Sequence, residues 1–325
     1  MSAGGSGLRA GVIGTGSLGN HHARIYASTG DVEELLLWDL DGGSAAGTAD
    51  RWGGRVSRDL DALLDACDMV SICTPATAHM EIALAAFERG ADVLVEKPIA
   101  AEAGEGGEIV RAARSRKRIL QVGHIERFNG AFEAAASLAS DPRFIECHRL
   151  GTFTPRGTDV SVVVDLMIHD IDLVLSMLEG RRLVELRASG AGVLTGSPDI
   201  VNARLEFDNG CVANLTASRI SREPFRKIRL FQENLYVSAD LRGRTVEAFE
   251  RAGDVTMGDL SDDPTAFIRP LEVEVDRGEP LRKEIESFVR SVRRRSVPVV
   301  TGEQALDALE TAERVLDEIG KAGRR

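Results

Sequence analysis

The sequence contains little cysteine and no long apolar segment. Its four cysteines, Cys67, Cys73, Cys147 and Cys211, form no C-x-x-C pair and lie in strand-like or helical runs. This distribution favours reduced packing residues over disulfides or zinc ligands, so we expect no metal. No uncharged apolar run reaches about 18 residues, and the first residues lack a positively charged segment followed by an apolar one. We therefore expect a cytoplasmic protein without a membrane span.

Clusters of positive charge are also scarce. The net charge is −11, and the basic residues are scattered except for the run at residues 293–295. A nucleic-acid partner is therefore not expected. At 325 residues and 43% hydrophobic content, the chain exceeds one small core and predicts two globular domains.

The first third of the chain alternates apolar runs with helical segments. The apolar runs are RAGVIG, EELLLWD, DMVSICTP and ADVLVEKP. This repeating βα pattern predicts a doubly wound parallel sheet covered by helices on both faces, a Rossmann fold. We place this N-terminal domain at residues 1–125.

A glycine motif follows the first predicted strand. Gly14, Gly16 and Gly19 form G-x-G-x-x-G at the start of a helix, and Asp39 lies 20 residues after Gly19 at the end of the next strand. Such glycines let backbone N–H groups approach a pyrophosphate, and Asp39 can accept hydrogen bonds from both hydroxyls of an adenosine ribose. Because this carboxylate repels a 2′-phosphate, the pattern predicts NAD rather than NADP. A glycine turn without a nucleotide is the alternative.

The rest of the chain changes to a period of two. Strand-like runs are FIECHRLGTF, LVELRASG, IVNARLEF, CVANLTAS, RKIRLFQ and NLYVSADL. They predict a C-terminal α+β domain at residues 126–325 with a large, mostly antiparallel open sheet. The segment 162–178 is predicted to cover part of one sheet face as a helix.

That helical segment, VVVDLMIHDIDLVLSML, is apolar but carries ionisable side chains. At α-helical spacing, one polar stripe contains Asp165, His169, Asp172 and Ser176. Asp170 points elsewhere. Buried carboxylates need partners, water or a cavity, so both a mutually satisfied Asp–His pair and an active site are compatible with the stripe.

Taken together, these segments resemble the glucose-fructose oxidoreductase, inositol dehydrogenase and MocA (Gfo/Idh/MocA) family of nicotinamide-dependent dehydrogenases. The resemblance covers nearly the whole chain. Its markers are GVIGTGSLGNHH, TPATAH, EKP at 96–98, the D-x-x-x-H-x-x-D of Asp165, His169 and Asp172, and the closing segment from EPLRKEIESF onward. One departure is Met167, at a position where many members carry glycine.

The resemblance and the residue chemistry together predict a catalytic group of Lys97, His169 and Asp165 in a cleft between the domains. His169 can accept the hydroxyl proton, and Asp165 can orient the ring or bind a neighbouring hydroxyl. Lys97 can stabilise negative charge on the oxygen. Which of Lys97 and His169 is the base stays open.

Further site residues are expected at the ends of the predicted strands. Cofactor-binding residues are expected at Gly14, Gly16, Ser17, Leu18, Gly19, Asp39, Thr74, Pro75, His79, Glu96 and Lys97. Substrate-binding residues are expected at Lys97, Glu126, Arg127, Asn129, Asp165, His169 and Asp172. For Glu126, Arg127 and Asn129 the alternative is ion pairing at the domain junction, and for Asp172 it is pairing with arginine or backbone. Candidate diphosphate ligands are Arg156, Arg219 and Arg226.

Within the family, QVGHIERFN and VVVDLMIHDID look most like the UDP-N-acetylglucosamine 3-dehydrogenases. This implies oxidation of the sugar nucleotide to a 3-keto product, which an aminotransferase converts toward the 3-amino sugar of certain lipid A molecules. The alternatives are oxidation of a free polyol or sugar such as inositol, redox-assisted glycoside cleavage, and an NAD-binding regulator without turnover. The resemblance also implies a homodimer or homotetramer formed through the open sheet, and a helix at about 302–320 that packs back on the first domain.

Overall fold

The computed structural model describes residues 7–154, 160–251 and 267–322 of the chain. The chain divides into two compact units, one of Met1–Ile125 with Glu279–Leu309 and the other of Glu126–Gly278 with Glu310–Arg325. Among the residues within the described ranges, no helix is both long and apolar enough to cross a membrane.

The first unit contains a six-stranded parallel sheet. Its strands are β1 (Leu8–Ile13), β2 (Val32–Trp38), β3 (Arg55–Val56), β4 (Met69–Ile72), β5 (Asp92–Glu96) and β6 (Leu120–Gly123). They lie in the order β3-β2-β1-β4-β5-β6, which is the strand order of dinucleotide-binding folds. The predicted Rossmann sheet is therefore confirmed, and its strand order reverses at β1 and β4.

Nine α-helices are present among the described residues. Their bounds are α1 (Ser17–Ala27), α2 (Gly42–Trp52), α3 (Leu60–Ala66), α4 (His79–Glu88), α5 (Ala103–Ser115), α6 (Gly130–Leu138), α7 (Ile168–Met177), α8 (Pro280–Arg294) and α9 (Gly302–Ala322). Asp41 and Asp59 cap the second and third helices by accepting from backbone N–H groups, so these helices begin where the sequence supplies an acceptor.

Helix α8 joins the core of the first unit. Its apolar face places Leu281, Ile285 and Phe288 in the same buried cluster as Ala23 and Tyr26 of α1. Burial of this apolar stripe explains why residues 279–309 return to the first unit. The sequence-based division at residues 125 and 126 expects only the closing helix to return.

The second unit contains an eight-stranded sheet. Its strands are β7 (Phe144–Leu150), β8 (Leu183–Ala191), β9 (Ile200–Phe207), β10 (Val212–Ser218), β11 (Phe225–Gln232), β12 (Leu235–Asp240), β13 (Thr245–Arg251) and β14 (Ile268–Leu271). The order is β14-β13-β12-β11-β7-β10-β9-β8, and among these described strands only β7 and β10 pair in parallel. The predicted, mostly antiparallel sheet is confirmed.

The segment 163–177 packs on this sheet against β7 and β10, as predicted. It begins as a π-helical turn, Val163–Met167, before α7 continues it. Ser161 Oγ accepts a hydrogen bond from Val163 N over 3.1 Å and so helps to start the turn. Single π-turns occur frequently at functional sites, and this one contains Asp165.

Candidate active site

The glycine motif forms a tight loop between β1 and α1. Gly14 has φ +85°, and an added Cβ there would lie 2.9 Å from the backbone carbonyl of Cys73. A Cβ on Gly19 would lie only 1.8 Å from Gly14 O, so both glycines permit close backbone approach. A Cβ on Gly16 would point into open space, and no side chain caps the first turn of α1. The free N–H groups there fit a pyrophosphate.

The predicted cofactor residues beside this loop are accessible. Gly16, Ser17 and Leu18 are exposed, and Asp39 is half-buried at the end of β2. Asp39 Oδ2 accepts from Thr15 N over 2.6 Å and lies 3.0 Å from Thr15 Oγ1, while Oδ1 accepts from Asp41 N over 2.9 Å. A carboxylate offers about four acceptor positions, so one remains for a ribose hydroxyl. Ser44 Oγ lies 2.9 Å from Thr15 Oγ1 and can accept the hydrogen bond of that hydroxyl in place of Asp39. This change would free a second acceptor position on Asp39.

Two further loops of the first unit meet at a buried histidine. His79 is 1% exposed, and its Nδ1 and Nε2 lie 3.0 and 2.9 Å from Pro98 O and Thr74 O. Burial lowers the pKa of His79, so the ring is neutral at pH 7 and donates one proton to one of these carbonyls. This geometry gives His79 a bracing role, and its direct contact with a cofactor stays a prediction.

The same edge offers an unused donor. Thr74 Oγ1 is buried without a hydrogen-bond partner among the described residues, next to the exposed Pro75. Lys97 is half-buried directly after β5. Thr74 and Lys97 thus lie at the carboxyl ends of β4 and β5, where ligands of open α/β sheets bind. The residues of this edge fit a dinucleotide.

The structure adds a buried hydrogen-bonded group that the sequence reasoning missed. His22 of α1 is fully buried, with Nε2 2.9 Å from Glu96 Oε1 and Nδ1 3.0 Å from Ser71 Oγ. Tyr26 OH lies 2.8 Å from the same Ser71 oxygen. The available signal was the spacing of His22 and Tyr26, which at i, i+4 share one helix face.

One of these residues also belongs to a possible metal cluster. Within the described parts of the chain, His22, Cys73 and Glu96 place one candidate ligand atom each within 4.8 Å of the others. The histidine and the carboxylate are already hydrogen-bonded to each other. Burial raises the pKa of the Cys73 thiol, which disfavours the thiolate that a metal needs.

In the second unit, the polar residues of the segment 163–177 differ in burial. Asp165 and His169 are half-buried, whereas Asp170 and Asp172 are buried. Ser176 Oγ donates to Leu173 O over 2.7 Å and is satisfied within its own helix. The predicted stripe is therefore not uniform, and accessibility favours Asp165 and His169 as its reactive members.

Glu126 and Asn129 lie in a buried ionic network. Arg149 Nη1 donates to Glu126 Oε1 over 2.8 Å, and Arg149 Nη2 donates to Asp170 Oδ1 over 2.8 Å. Asn129 Nδ2 donates to Glu126 Oε2 over 3.0 Å, and Arg226 Nη1 donates to Glu126 Oε1 over 3.3 Å. Arg149, Glu126 and Asn129 are 3, 6 and 4% exposed. These contacts favour a structural role, and substrate contact by Glu126 and Asn129 stays a prediction.

The charges of this network offset the cost of burial unequally, since burial outweighs Arg149 at Asp170 and raises the pKa of that carboxyl. Burial opposes ionisation of Glu126, but Arg149 and Arg226 outweigh burial and lower the pKa of Glu126. Burial also opposes the charge of Arg149, but Asp170 and Glu126 outweigh it and raise the pKa of Arg149. The sequence signal for Arg149 was its place on β7, where it shares the buried face with Ile145 and Cys147.

The remaining predicted ligands of the second unit are also engaged. Arg127 Nε lies 3.7 Å from Asp172 Oδ2 with both side chains buried, which matches the arginine-pairing alternative for Asp172. Arg219 is 8% exposed, and its Nη2 donates to Val160 O over 2.6 Å. Arg156 lies outside the described residues. Of the three predicted diphosphate ligands, Arg226 has the most accessible side chain among those described, at 50%.

Comparison with known proteins places this architecture in a family. Residues 8–124 match the Gfo/Idh/MocA oxidoreductase family with its NAD-binding Rossmann fold, and residues 121–237 match the C-terminal domain of the same family. UDP-N-acetylglucosamine 3-dehydrogenase of Acidithiobacillus ferrooxidans is 35% identical over 287 residues, which cover 88% of each chain. Inositol 2-dehydrogenase of Rhizobium meliloti is 26% identical over 94% of this chain and 95% of its own.

Solved structures agree with these matches. The Acidithiobacillus ferrooxidans enzyme has a TM-score of 0.87 at 32% identity, with coverage of 97% of this chain and 98% of that chain. A myo-inositol 2-dehydrogenase from Lactobacillus plantarum has a TM-score of 0.79 at 20% identity, a likeness of fold alone. The predicted family and the NAD cofactor are thus confirmed. The chain belongs to the Gfo/Idh/MocA family of NAD-binding oxidoreductases.

Proposed function

We propose that this protein is an NAD-dependent dehydrogenase that oxidises the 3-hydroxyl of a UDP-sugar, UDP-N-acetylglucosamine. The observation that carries the proposal is the 35% identity to a relative of that name over 88% of both chains. The half-buried positions of Lys97, Asp165 and His169 support it, because a reactive group must be reachable by its substrate.

The reaction removes a hydride from C3 of the sugar and a proton from its hydroxyl oxygen. NAD, when bound, supplies the hydride acceptor at nicotinamide C4. We propose that His169 accepts this proton, because an imidazole titrates near neutral pH. Asp165 orients the ring or binds a neighbouring hydroxyl. Lys97 stabilises negative charge on the oxygen, and it stays the alternative base.

Asp39 is assigned to cofactor choice. Its carboxylate lies beside the glycine loop, where it can accept a hydrogen bond from a ribose hydroxyl but repels a 2′-phosphate. The hydrogen bonds from Thr15 hold this charge in place. The preference for NAD is therefore proposed to rest on a side chain that is fixed before the cofactor binds.

The product of this reaction suits a transaminase. A 3-keto sugar nucleotide carries a carbonyl that an aminotransferase can convert to an amine, and we propose this step as the next one toward a 3-amino sugar of lipid A type. A cytoplasmic location is part of the same proposal, since the substrate is a sugar nucleotide. An aminotransferase that consumes the keto product also draws the oxidation forward.

A homo-oligomer is proposed through the open face of the second sheet. Phe144, Phe231, Tyr236 and Phe249 are neighbours in register across four strands, with successive ring centroids 5.7, 5.0 and 6.2 Å apart. The last three also line a groove of about 820 Å³. A row of aromatic side chains on an outward sheet face favours burial against a second copy of the chain.

A coupled assay tests the proposed substrate. UDP-N-acetylglucosamine with NAD is expected to yield NADH, and the yield should rise when an aminotransferase and an amino donor remove an unfavourable keto product. Free N-acetylglucosamine, other UDP-sugars and myo-inositol serve as matched controls. Turnover of inositol without turnover of the sugar nucleotide would favour the polyol dehydrogenase alternative. NAD binding without turnover of any sugar would favour the regulator.

A further inference from the structure

We propose that His22 is a positioning residue for the dehydrogenation, which holds Glu96, and through it the backbone of Lys97, in one geometry. Glu96 Oε2 accepts from Lys97 N over 3.3 Å, while Glu96 Oε1 lies 2.9 Å from His22 Nε2. Ser71 and Tyr26 complete the chain behind His22. The inference rests on the role proposed above for Lys97.

Only one arrangement of protons satisfies these hydrogen bonds when the imidazole is neutral and the Glu96 carboxylate is ionised. Burial raises the pKa of Tyr26, so its hydroxyl stays protonated and donates to Ser71. Ser71 then donates to His22 Nδ1, which leaves the imidazole proton on Nε2 facing the Glu96 carboxylate. Each donor meets an acceptor, and the series of hydrogen bonds that starts at Tyr26 ends at Glu96.

The burial of Tyr26 and Ser71 indicates whether these hydrogen bonds carry protons or orient Glu96. Tyr26 and Ser71 are both 0% exposed, so the chain does not reach solvent at that end. Among the described residues Tyr26 OH is hydrogen-bonded to Ser71 alone, so a proton that reached it would have no further acceptor. The chain therefore orients Glu96 and does not carry protons out.

A glycine on the neighbouring strand makes room for the carboxylate. A Cβ added to Gly123 of β6 would lie 2.8, 2.9 and 3.0 Å from Glu96 Oε2, Cδ and Oε1. His22 and Gly123 thus constrain Glu96 from different elements. A substitution at either residue is expected to move the same carboxylate.

Other titratable groups surround the chain and enter any pH dependence. Glu96 acts electrostatically on Cys73 after β4 and on His79 of α4. Glu284 of α8 acts on Cys73 and Tyr26. Burial keeps Cys73 protonated and His79 neutral at pH 7, so neither adds a charge near Glu96 there.

The first experiment compares the pH profiles of turnover for His22→Ala, His22→Gln and Gly123→Ala. His22→Ala removes the donor to Glu96, and the added Cβ of Gly123→Ala crowds the carboxylate away from that donor. A carboxylate that loses its donor takes up a proton more readily, so both variants should move the acid limb upward by about one pH unit. Turnover at pH 7 should fall by about tenfold or more. Glutamine can present an N–H near the position of Nε2, so His22→Gln should restore most of the profile.

The matched control is His21→Ala, on the exposed face of the same helix. It should leave the profile unchanged. Turnover is expressed per folded molecule, and NAD affinity is measured by calorimetry for each variant. A lowered melting temperature in His22→Ala, with turnover per folded molecule unchanged at every pH, would mean that His22 only stabilises the fold and would overturn the proposal.

The second experiment measures the protonation of the His22 ring nitrogens and needs no turnover. In the ¹⁵N spectrum of histidine-labelled protein, the His22 signals, assigned by their loss in His22→Gln, should show a protonated Nε2 and a bare Nδ1 at pH 7. Ser71→Ala should shift them. An Nε2 without a proton would overturn the proposal, as would activity lost to EDTA and restored by zinc, which would place a metal on His22, Cys73 and Glu96. The spectrum separates failure of this inference from failure of the proposed substrate.

Discussion

Replacement of His169 by asparagine is expected to lower turnover by about 10²- to 10⁴-fold, the usual contribution of a general acid or base. His169 is half-buried at the start of α7, directly after the π-turn that contains Asp165. Affinity for NAD and the melting temperature should change little, because the glycine loop and Asp39 lie in the first unit. Initial rates with saturating NAD, calorimetric NAD titration and thermal melting measure the three quantities.

Ser176→Ala on the same helix is the matched control, since its hydroxyl is bound to Leu173 O. It should retain near-normal turnover. Lys97→Met should lose turnover as His169→Asn does. If His169 is instead a core partner of Asp165, His169→Asn should lower the free energy of unfolding by roughly 1 to 3 kcal/mol, while each folded molecule keeps its activity. That outcome would contradict the catalytic assignment.

Replacement of Arg149 by methionine is expected to lower the free energy of unfolding by about 3 to 5 kcal/mol. Arg149 is 3% exposed and neutralises Glu126 and Asp170, which are also buried. Its loss leaves two carboxylates close together without their shared cation. Urea unfolding followed by circular dichroism measures the change.

Arg226→Met is the matched control, because this arginine also contacts Glu126 but its side chain is 50% exposed. It should cost less than about 1 kcal/mol. Adding Glu126→Gln and Asp170→Asn to Arg149→Met should recover part of the stability by removing the unpaired charges. Normal stability of Arg149→Met together with lost sugar-nucleotide affinity would contradict the structural role and favour substrate contact by Glu126.

Much of the fold follows from patterns that the chain displays locally. The apolar runs that precede helices give the parallel sheet, and the alternating runs give most of the second sheet, since each strand has one dominant period. Strand β13 was missed because Glu247 and Glu250 interrupt its apolar content, and β14 because it is short and contains Pro270. The return of α8 to the first unit depends on a long-range apolar contact that its own amphipathic pattern does not specify.

The site is predictable where a residue type and a strand end determine its place. The glycine loop, Asp39 and Lys97 belong to that class, because parallel strands bring their carboxyl ends to one edge. The ion pairs of Arg149 with Glu126 and Asp170 join residues 23 and 21 positions apart, and no local pattern links them. The π-turn at Asp165 is a local irregularity that an assumed α-helical period conceals.

The most direct test of the proposed reaction follows the hydride itself. UDP-N-acetylglucosamine that carries deuterium at C3 should transfer it to NAD, so that the NADH formed contains deuterium at nicotinamide C4 by mass spectrometry and NMR. The same label should fail to transfer in His169→Asn over the time of many wild-type turnovers. NADH that forms without deuterium, while the label stays in the sugar, would show oxidation at another carbon and contradict the account.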